Sequence, residues 1–325
     1  MSKDKQFIQD GILLIDKPAG WTSHDVVARV RKLLGTRRVG HTGTLDPFAT
    51  GLLVICLNRA TRLVQFLTGE DKEYHAMVRF GWATDTGDLT GQPVSAAKSI
   101  AHLTDASLQA AASQLRGKIL QTPPMYSAKK IGGVKLYELA RQGQTIHRPP
   151  VEVEIKQLTL GTPLPPIQTT TPCLDVPLQT VCTAGTYVRV LAEDLGKPLG
   201  VGAHLTELRR TRVGQFRLEA SFTLEQLADL ATKQQASQAI IPLIRSLPFP
   251  KIVLDDTEQQ AIAHGRSVYR PAMRPANEPP LENSAESFAM LSNSRDELLA
   301  IACYAPLTQA WHPRIVLCEP GSKSG

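Results

Sequence analysis

The sequence predicts two domains of mixed helix and strand, the second of them small and mostly β. Three observations carry this expectation. A chain of 325 residues exceeds the roughly 100–200 residues that a single core usually organises. Apolar strand-like runs and helical apolar spacing alternate through its first part. Beyond about residue 247 mainly short strand-like runs and one helix remain. A hydrophobic content of 42% with 20% charged residues is enough to build real cores and argues against extensive disorder.

The run Gly11-Ile-Leu-Leu-Ile-Asp-Lys17 reads as a short buried strand, ended by the Pro18-Ala-Gly20 turn. A helix follows. Thr22 or Ser23 can cap its first amides, Val26, Val27, Val30, Leu33 and Leu34 recur at helical spacing, and Gly35 suits its end. From Arg37 to Thr50 the composition is that of a loop, before Leu52-Leu-Val-Ile-Cys-Leu57 resumes as a buried strand. In Lys72 to Phe80, two-residue alternation puts Tyr74, Ala76, Val78 and Phe80 on one face. Residues from about 121 to 150 carry Pro123-Pro124, Gly132-Gly133 and a basic set including Lys129, Lys130, Lys135, Arg141 and Arg148, which reads as a positively charged excursion from the core. Leu178 to Gly196 reads as strand, Ala184-Gly185-Thr186 turn and helix, with Arg189 near the helix start. Thr223-Leu-Glu-Gln226 has a capping-box spacing, and Lys233 to Gln238 reads as a linker. Ile252 to Leu254, Phe288 to Leu291, Leu298 to Tyr304 and Pro313 to Cys318 then read as strands around a helix ending at His264-Gly265 and a Pro-rich loop at Arg270 to Glu286.

Lys and Arg total 36 against 30 Asp and Glu, a net charge of +6, which is compatible with a polyanionic partner without requiring one. Five scattered cysteines with no C-x-x-C pair argue against both a disulfide scaffold and a zinc site. No secretory signal pattern and no apolar run of about 18 residues is present. The expected location is therefore the cytoplasm.

No phosphate-cradling glycine loop, dinucleotide fingerprint or metal-ligand cluster is found, so side-chain chemistry is expected, with no metal and no cofactor. The stretch Val39-Gly-His-Thr-Gly-Thr-Leu-Asp-Pro-Phe-Ala-Thr-Gly51 concentrates small residues around one carboxylate, Asp46. Loops held by rigid strands often carry catalytic groups. The plainer alternative is that Asp46 caps a turn, as Asp-Pro steps commonly do.

Gly40-His-Thr-Gly-Thr-Leu-Asp-Pro-Phe-Ala-Thr-Gly-Leu-Leu53 closely resembles the catalytic motif of the TruB family of tRNA pseudouridine synthases. Asp16-Lys-Pro-Ala-Gly-Trp-Thr-Ser23 is similar to the family's N-terminal motif, and Lys72-Glu-Tyr74 with Gly81 to Gly87 to its second block. Pro123-Pro-Met-Tyr-Ser-Ala-Lys129 through Leu136-Tyr-Glu-Leu-Ala-Arg141 resembles its RNA-gripping insertion, and Gly185-Thr-Tyr-Val-Arg189 and Ala203-His-Leu to Leu208-Arg-Arg210 complete the order. The resemblance implies an α+β fold with a mixed, largely antiparallel sheet over residues 1–245, the insertion at about 121–150, and a small β-barrel, PUA-like RNA-binding domain over 246–325. It implies isomerisation of uridine to pseudouridine at position 55 in the T loop of tRNA, with no cofactor; tRNA, through its T arm, is the expected partner, no membrane is expected, and no obligate protein partner is evident from the sequence.

Residue by residue, Asp46 matches the family's essential aspartate, which either attacks the sugar or takes a proton from it. Arg189 matches the arginine paired with it, and a guanidinium stays charged in a dry site. Tyr74 matches the aromatic against the target base, Tyr187 and Leu208 match pocket-lining positions, and Lys17 is expected as nearby support. His41 matches the residue that fills the space left when nucleotides flip out, since a uridine stacked in a folded loop must be extruded to react. Lys129, Lys130, Lys135, Arg141, Arg209 and Arg210, with Arg212, are expected to contact phosphates. Two rivals stand against this reading: a non-catalytic RNA-binding protein, which would not need Asp46, and a uridine methyltransferase, which would need an S-adenosylmethionine site that the sequence lacks.

Overall fold

The computed structural model describes residues 9–164, 172–271 and 287–319. Strand β1 (Gly11–Lys17) is apolar along almost its whole length because both of its faces are covered. Helix α1 (Ser23–Leu34) starts at Thr22, whose side chain accepts from the Asp25 amide while Asp25 returns a bond to the Thr22 amide, and stops at Gly35 in the left-handed region. Its Val26, Val27, Val30 and Leu34 pack on Leu13, Ile15, Leu53 and Ile55. The expected loop from Arg37 to Thr50 contains a short strand, β2 (Val39–His41), paired antiparallel to β3 (Thr50–Leu57). Three residues are too few to show a periodicity, so only the neighbouring apolar strand defines it.

Short helix α2 (Val64–Thr68) leads to β4 (Lys72–Phe80), whose alternation buries Tyr74, Ala76, Val78 and Phe80 as expected. Next come α3 (Asp105–Ser113) and β5 (Gly117–Gln121), then the hairpin β6 (Lys130–Ile131) and β7 (Val134–Lys135) with α4 (Leu136–Arg141). The chain returns along β8 (Val151–Leu160) and β9 (Leu174–Cys182), turns into α5 (Val188–Gly196), and crosses the sheet as β10 (Ala203–Val213) and β11 (Phe216–Arg217). Helix α6 (Leu224–Thr232) has the expected Thr223–Gln226 capping box. The expected linker at Lys233 to Gln238 is a short, mostly exposed connection between α6 and the next strand, anchored at Ala236. Ala236 is buried within a short 3-10 turn that delivers β12 (Ile240–Pro242) onto the edge of β1.

Apart from the β6–β7 hairpin, which stands as its own two-stranded sheet, these strands form one mixed sheet in the order β12-β1-β3-β10-β4-β9-β8-β5, with β2 on β3 and β11 on β10, and among its described strands only the β3–β10 pairing is parallel. The expectation of a mixed, largely antiparallel sheet is borne out. A second sheet contains β13 (Lys251–Val253), β14 (Val268–Tyr269), β15 (Phe288–Ser292), β16 (Leu298–Ala305) and β17 (Ala310–Val316), ordered β13-β15-β16-β17-β14, with α7 (Asp256–Ala263) packed beside it. The last strand starts at Ala310 rather than Pro313 because Trp311 is buried and pairs with Tyr304. Most of the Pro-rich loop expected at Arg270 to Glu286 lies outside the described residues. The two sheets share a hydrophobic cluster in which Leu243 and Leu247 meet Met290, Ile301 and Ile315, and Phe66, Phe249 and Phe288 stack edge and face. Among the described residues no helix is long and apolar enough to cross a membrane.

The parallel step between β3 and β10 sets the position of everything that follows. Gly51 lies opposite Arg210 with φ 98°, and a Cβ there would collide with the Arg210 carbonyl oxygen. Gly51→Ala is expected to cost about 3 kcal/mol through left-handed strain and forced separation of the strands. A urea titration checks this as a lowered midpoint with an unchanged slope.

Candidate active site

A cavity of about 270 Å³ opens beside the centre of the large sheet, lined by Thr42, Gly43, Asp46, Lys72, Tyr74, Tyr187, Arg189, Leu208 and Arg210. Its size falls near the lower end for small-ligand sites, about 300–1,000 Å³, which suits one nucleoside better than a duplex. The floor comes from β4 and β10, which alternate so that Tyr74 and Leu208 face it together. One wall is the loop between β2 and β3, and another is the start of α5.

That first loop is pinned along its length. The Thr42 amide donates to Val54 O, the Leu45 amide donates to Ser23 Oγ, and Ser23 Oγ donates back to Leu45 O. Lys17, fully buried, gives its three protons to the carbonyls of Pro18, Trp21 and Pro47, the last being the residue after Asp46. Burial pushes the Lys17 ammonium down to about 8, partly opposed by the Asp46 charge. Lys17 is thus a brace under the loop rather than a wall of the cavity.

With its backbone so fixed, Asp46 aims its carboxylate at Arg189. Arg189 Nε lies 2.9 Å from Asp46 Oδ2, and Nη2 lies 3.2 Å from Oδ1, a two-point fork. Arg189 is 3% exposed, and its guanidinium is held from behind by Thr86 O at 2.7 Å and Tyr126 O at 2.6 Å. Asp88 Oδ2 stands 3.8 Å from its Nη1. Only a backbone bond, Ala49 N–H to Asp46 O, closes the Asp-Pro turn, so the side chain of Asp46 is not spent on capping. Burial raises the Asp46 pKa above the usual carboxylate value, with the Arg189 charge as the main opposing influence and Asp88 adding to the rise.

Tyr74 is 8% exposed. Burial raises its hydroxyl pKa, and the adjacent Arg210 guanidinium opposes that. Arg210 corrects the expectation of a phosphate contact. It is 2% exposed, with Nε donating to Leu52 O at 2.7 Å and Nη2 to Gly43 O at 3.0 Å. Being adjacent on one strand, Arg209 and Arg210 point to opposite faces, and only Arg209 remains partly exposed, paired with Asp16 at 2.6 Å. Arg212 is paired with Glu73 at 3.0 Å.

The structure therefore brings Asp46, Tyr74, Tyr187, Arg189 and Leu208 to one cavity, with Lys17 beneath it. It does not bring His41 to the wall. His41 ends β2, edge-on to His24 at 5.7 Å between ring centres, and its Nδ1 has no partner among the described residues. Burial, then the neighbouring His24 charge, pushes its imidazole down to about 4. Lys129, Lys130, Lys135 and Arg141 all lie in the 121–150 excursion and do not line the cavity, although Lys129 directly follows Ala128, which does; Lys135 and Arg141 flank the Tyr137 ring at 5.4 and 5.3 Å. Sequence reasoning missed Asp88, the Tyr126 carbonyl, Lys72 and Gln121. Of these Asp88 was the most accessible, as it directly follows the Gly81 to Gly87 block.

A family model described as TruB family pseudouridylate synthase (N terminal domain) matches residues 31–188, and one described as tRNA pseudouridylate synthase B C-terminal domain matches residues 189–249. A curated relative from Solibacter usitatus named tRNA pseudouridine synthase B is 41% identical over 95% of this chain and 100% of its own length. Another of that name from Thermobifida fusca is 42% identical over 80% of this chain and 86% of its own. Among solved structures, a chain of a Cbf5-Nop10-Gar1 complex superposes with a TM-score of 0.68 at 26% identity, covering 95% of this chain and 85% of that one. A chain of an archaeal box H/ACA sRNP Nop10-Cbf5 complex gives 0.66 at 25%, covering 97% and 88%.

Proposed function

The chain belongs to the TruB family of pseudouridylate synthases, and from that premise we propose that it isomerises the uridine at position 55 in the T loop of tRNA, with Asp46 as the catalytic carboxylate. The observation that carries the catalytic part is the Asp46–Arg189 fork at the edge of a nucleoside-sized cavity. A protein that only bound RNA would have no use for a carboxylate placed there, since it repels phosphate.

In the reaction the N1–C1′ bond of the uridine breaks and a C5–C1′ bond forms. The C5 hydrogen leaves as a proton and N1 takes one up, so atoms and redox state balance. Asp46 serves either by attacking the ribose or by removing a ribose proton, and both routes need it ionised. Arg189 favours that form by opposing the desolvation of the site. Tyr74, facing the cavity from β4, offers a flat surface for the extruded base. The cations of residues 121–150, with Arg209, contact phosphates and set register without reading bases. His41 occupies the gap that extrusion leaves in the loop. Residues 246–325, a PUA-like unit, extend the RNA contact.

The test uses unmodified tRNA carrying tritium at uridine C5. About one tritium per tRNA is expected to enter solvent, without added cofactor, and the release is expected to vanish when position 55 is a cytidine. Binding without release sinks the catalytic reading in favour of RNA binding alone. Release from another uridine sinks the positional one.

A further inference from the structure

We propose that Gln121 is a positioning residue for this reaction, fixing the start of the helix that carries Arg189 to the root of the RNA-gripping excursion. The inference rests on the isomerase reading and adds a residue to it. Gln121 is the last residue of β5, where the 121–150 excursion leaves the sheet, and it is 2% exposed. Its side-chain amide meets the backbone of Tyr187 twice: Tyr187 N–H donates to Oε1 at 2.9 Å, and Nε2 donates to Tyr187 O at 3.3 Å. The backbone chemistry dictates this orientation of the amide, because an N–H must face its oxygen and a carbonyl its nitrogen.

Helices α1, α3, α6 and α7 all start with a capping box supplied by their own first turn. Helix α5 has none: its N-cap is Tyr187, with no side-chain capping bond. Gln121, 66 residues away in sequence, supplies the bond to the N-cap amide that a capping-box partner would give and also donates to the N-cap carbonyl. Two residues later stands Arg189. The same excursion also delivers Tyr126 O to Arg189 Nη2 and Ser127 to the cavity lining. Gln121 therefore joins three things at one point: the base of the excursion, the Tyr187 wall of the cavity, and the helix start that aims the guanidinium at Asp46. A displacement of about 1 Å in such a group is enough to cost about 100-fold in rate.

The test compares wild type, Gln121→Ala and Gln121→Glu in single-turnover tritium release at saturating tRNA, with tRNA affinity and the thermal unfolding midpoint measured alongside. Glutamic acid is nearly isosteric. Protonated, it can both donate and accept as glutamine does, whereas ionised it presents oxygen to the Tyr187 carbonyl. Burial favours its protonated form. Gln121→Ala is expected to lose about tenfold in rate with affinity held within about twofold. Gln121→Glu is expected to match wild type near about pH 5.5 and to fall at least about tenfold behind by about pH 8.5. Unchanged rates in both variants, a loss confined to affinity, or a Gln121→Glu deficit independent of pH would each overturn the proposal. Wild type releasing no tritium would overturn the isomerase reading and this inference with it.

Discussion

Replacing Asp46 by Asn is expected to abolish tritium release, by at least about 10⁴-fold, the scale on which enzymes lose rate when a nucleophile or general base is removed. Asparagine keeps the size of the side chain and removes the charge, so the loss reads chemistry and not packing. Binding of tRNA is expected to persist, because a neutral amide repels phosphate less than a carboxylate does. Stability gives an independent check through its sign. Burial raises the folded-state pKa of Asp46, so its contribution to stability is fully present below the unfolded pKa and lost as pH rises through the folded one. Above that range the carboxyl costs the fold stability. Arg189 meanwhile keeps its bonds to Thr86 O and Tyr126 O and its neighbour Asp88. The unfolding midpoint of Asp46→Asn is therefore expected at or above that of wild type. An active variant, or one that is inactive because it has unfolded, contradicts the assignment.

Local signals made much of this molecule legible in advance. The Thr22 cap and Gly35 stop bounded α1, two-residue alternation oriented Tyr74 in β4, and the Thr223–Gln226 pair marked α6, because in each case the determining interaction lies within a few residues. Asp46 is different. Composition gave only a flexible loop with one carboxylate, and its pairing with Arg189, 143 residues away, was reachable only through the family resemblance. Strands β5 and β8 and helix α3 went unread although Thr104 and Ser107 form a capping box, since the exposed edge strand alternates weakly and Leu120 faces outward. Arg210 was grouped with Arg209 as surface charge. Strand alternation already separates the two, placing Arg210 with Leu208 on the cavity side. Asp88 sits next to the Gly81 to Gly87 block, but it and Gln121 each act on a group about 66 to 101 residues distant, and nothing local encodes that distance.

Arg189→Met is expected to slow the single-turnover step by about 10²–10³-fold at neutral pH, the loss typical of removing a preorganised electrostatic partner, and to move the acid limb of the pH–rate profile upward. The direction follows from the charges around the carboxylate. Asp46 must be ionised to act, so activity is present above its folded pKa and is lost as pH falls through it. In wild type, burial and Asp88 raise that pKa, and Arg189 is the largest influence holding it down. Methionine fills similar space but leaves Asp46 near the Asp88 charge without the intervening cation, which pushes the Asp46 pKa further up. Raising the pH then recovers part of the lost rate, and the remainder reports the orientation that the fork provided. Arg189→Lys separates the two contributions. A lysine keeps the charge and loses the planar two-point contact, so its profile is expected to stay near that of wild type along the pH axis while its rate drops by about 10–100-fold. The measurement is the tritium-release rate at saturating tRNA across the pH range, with unfolding followed on the same samples. If Arg189→Met loses rate with no movement of its acid limb, Arg189 acts by holding the site in shape, and the carboxylate owes its charge to another group, of which buried Lys17 is the nearest candidate.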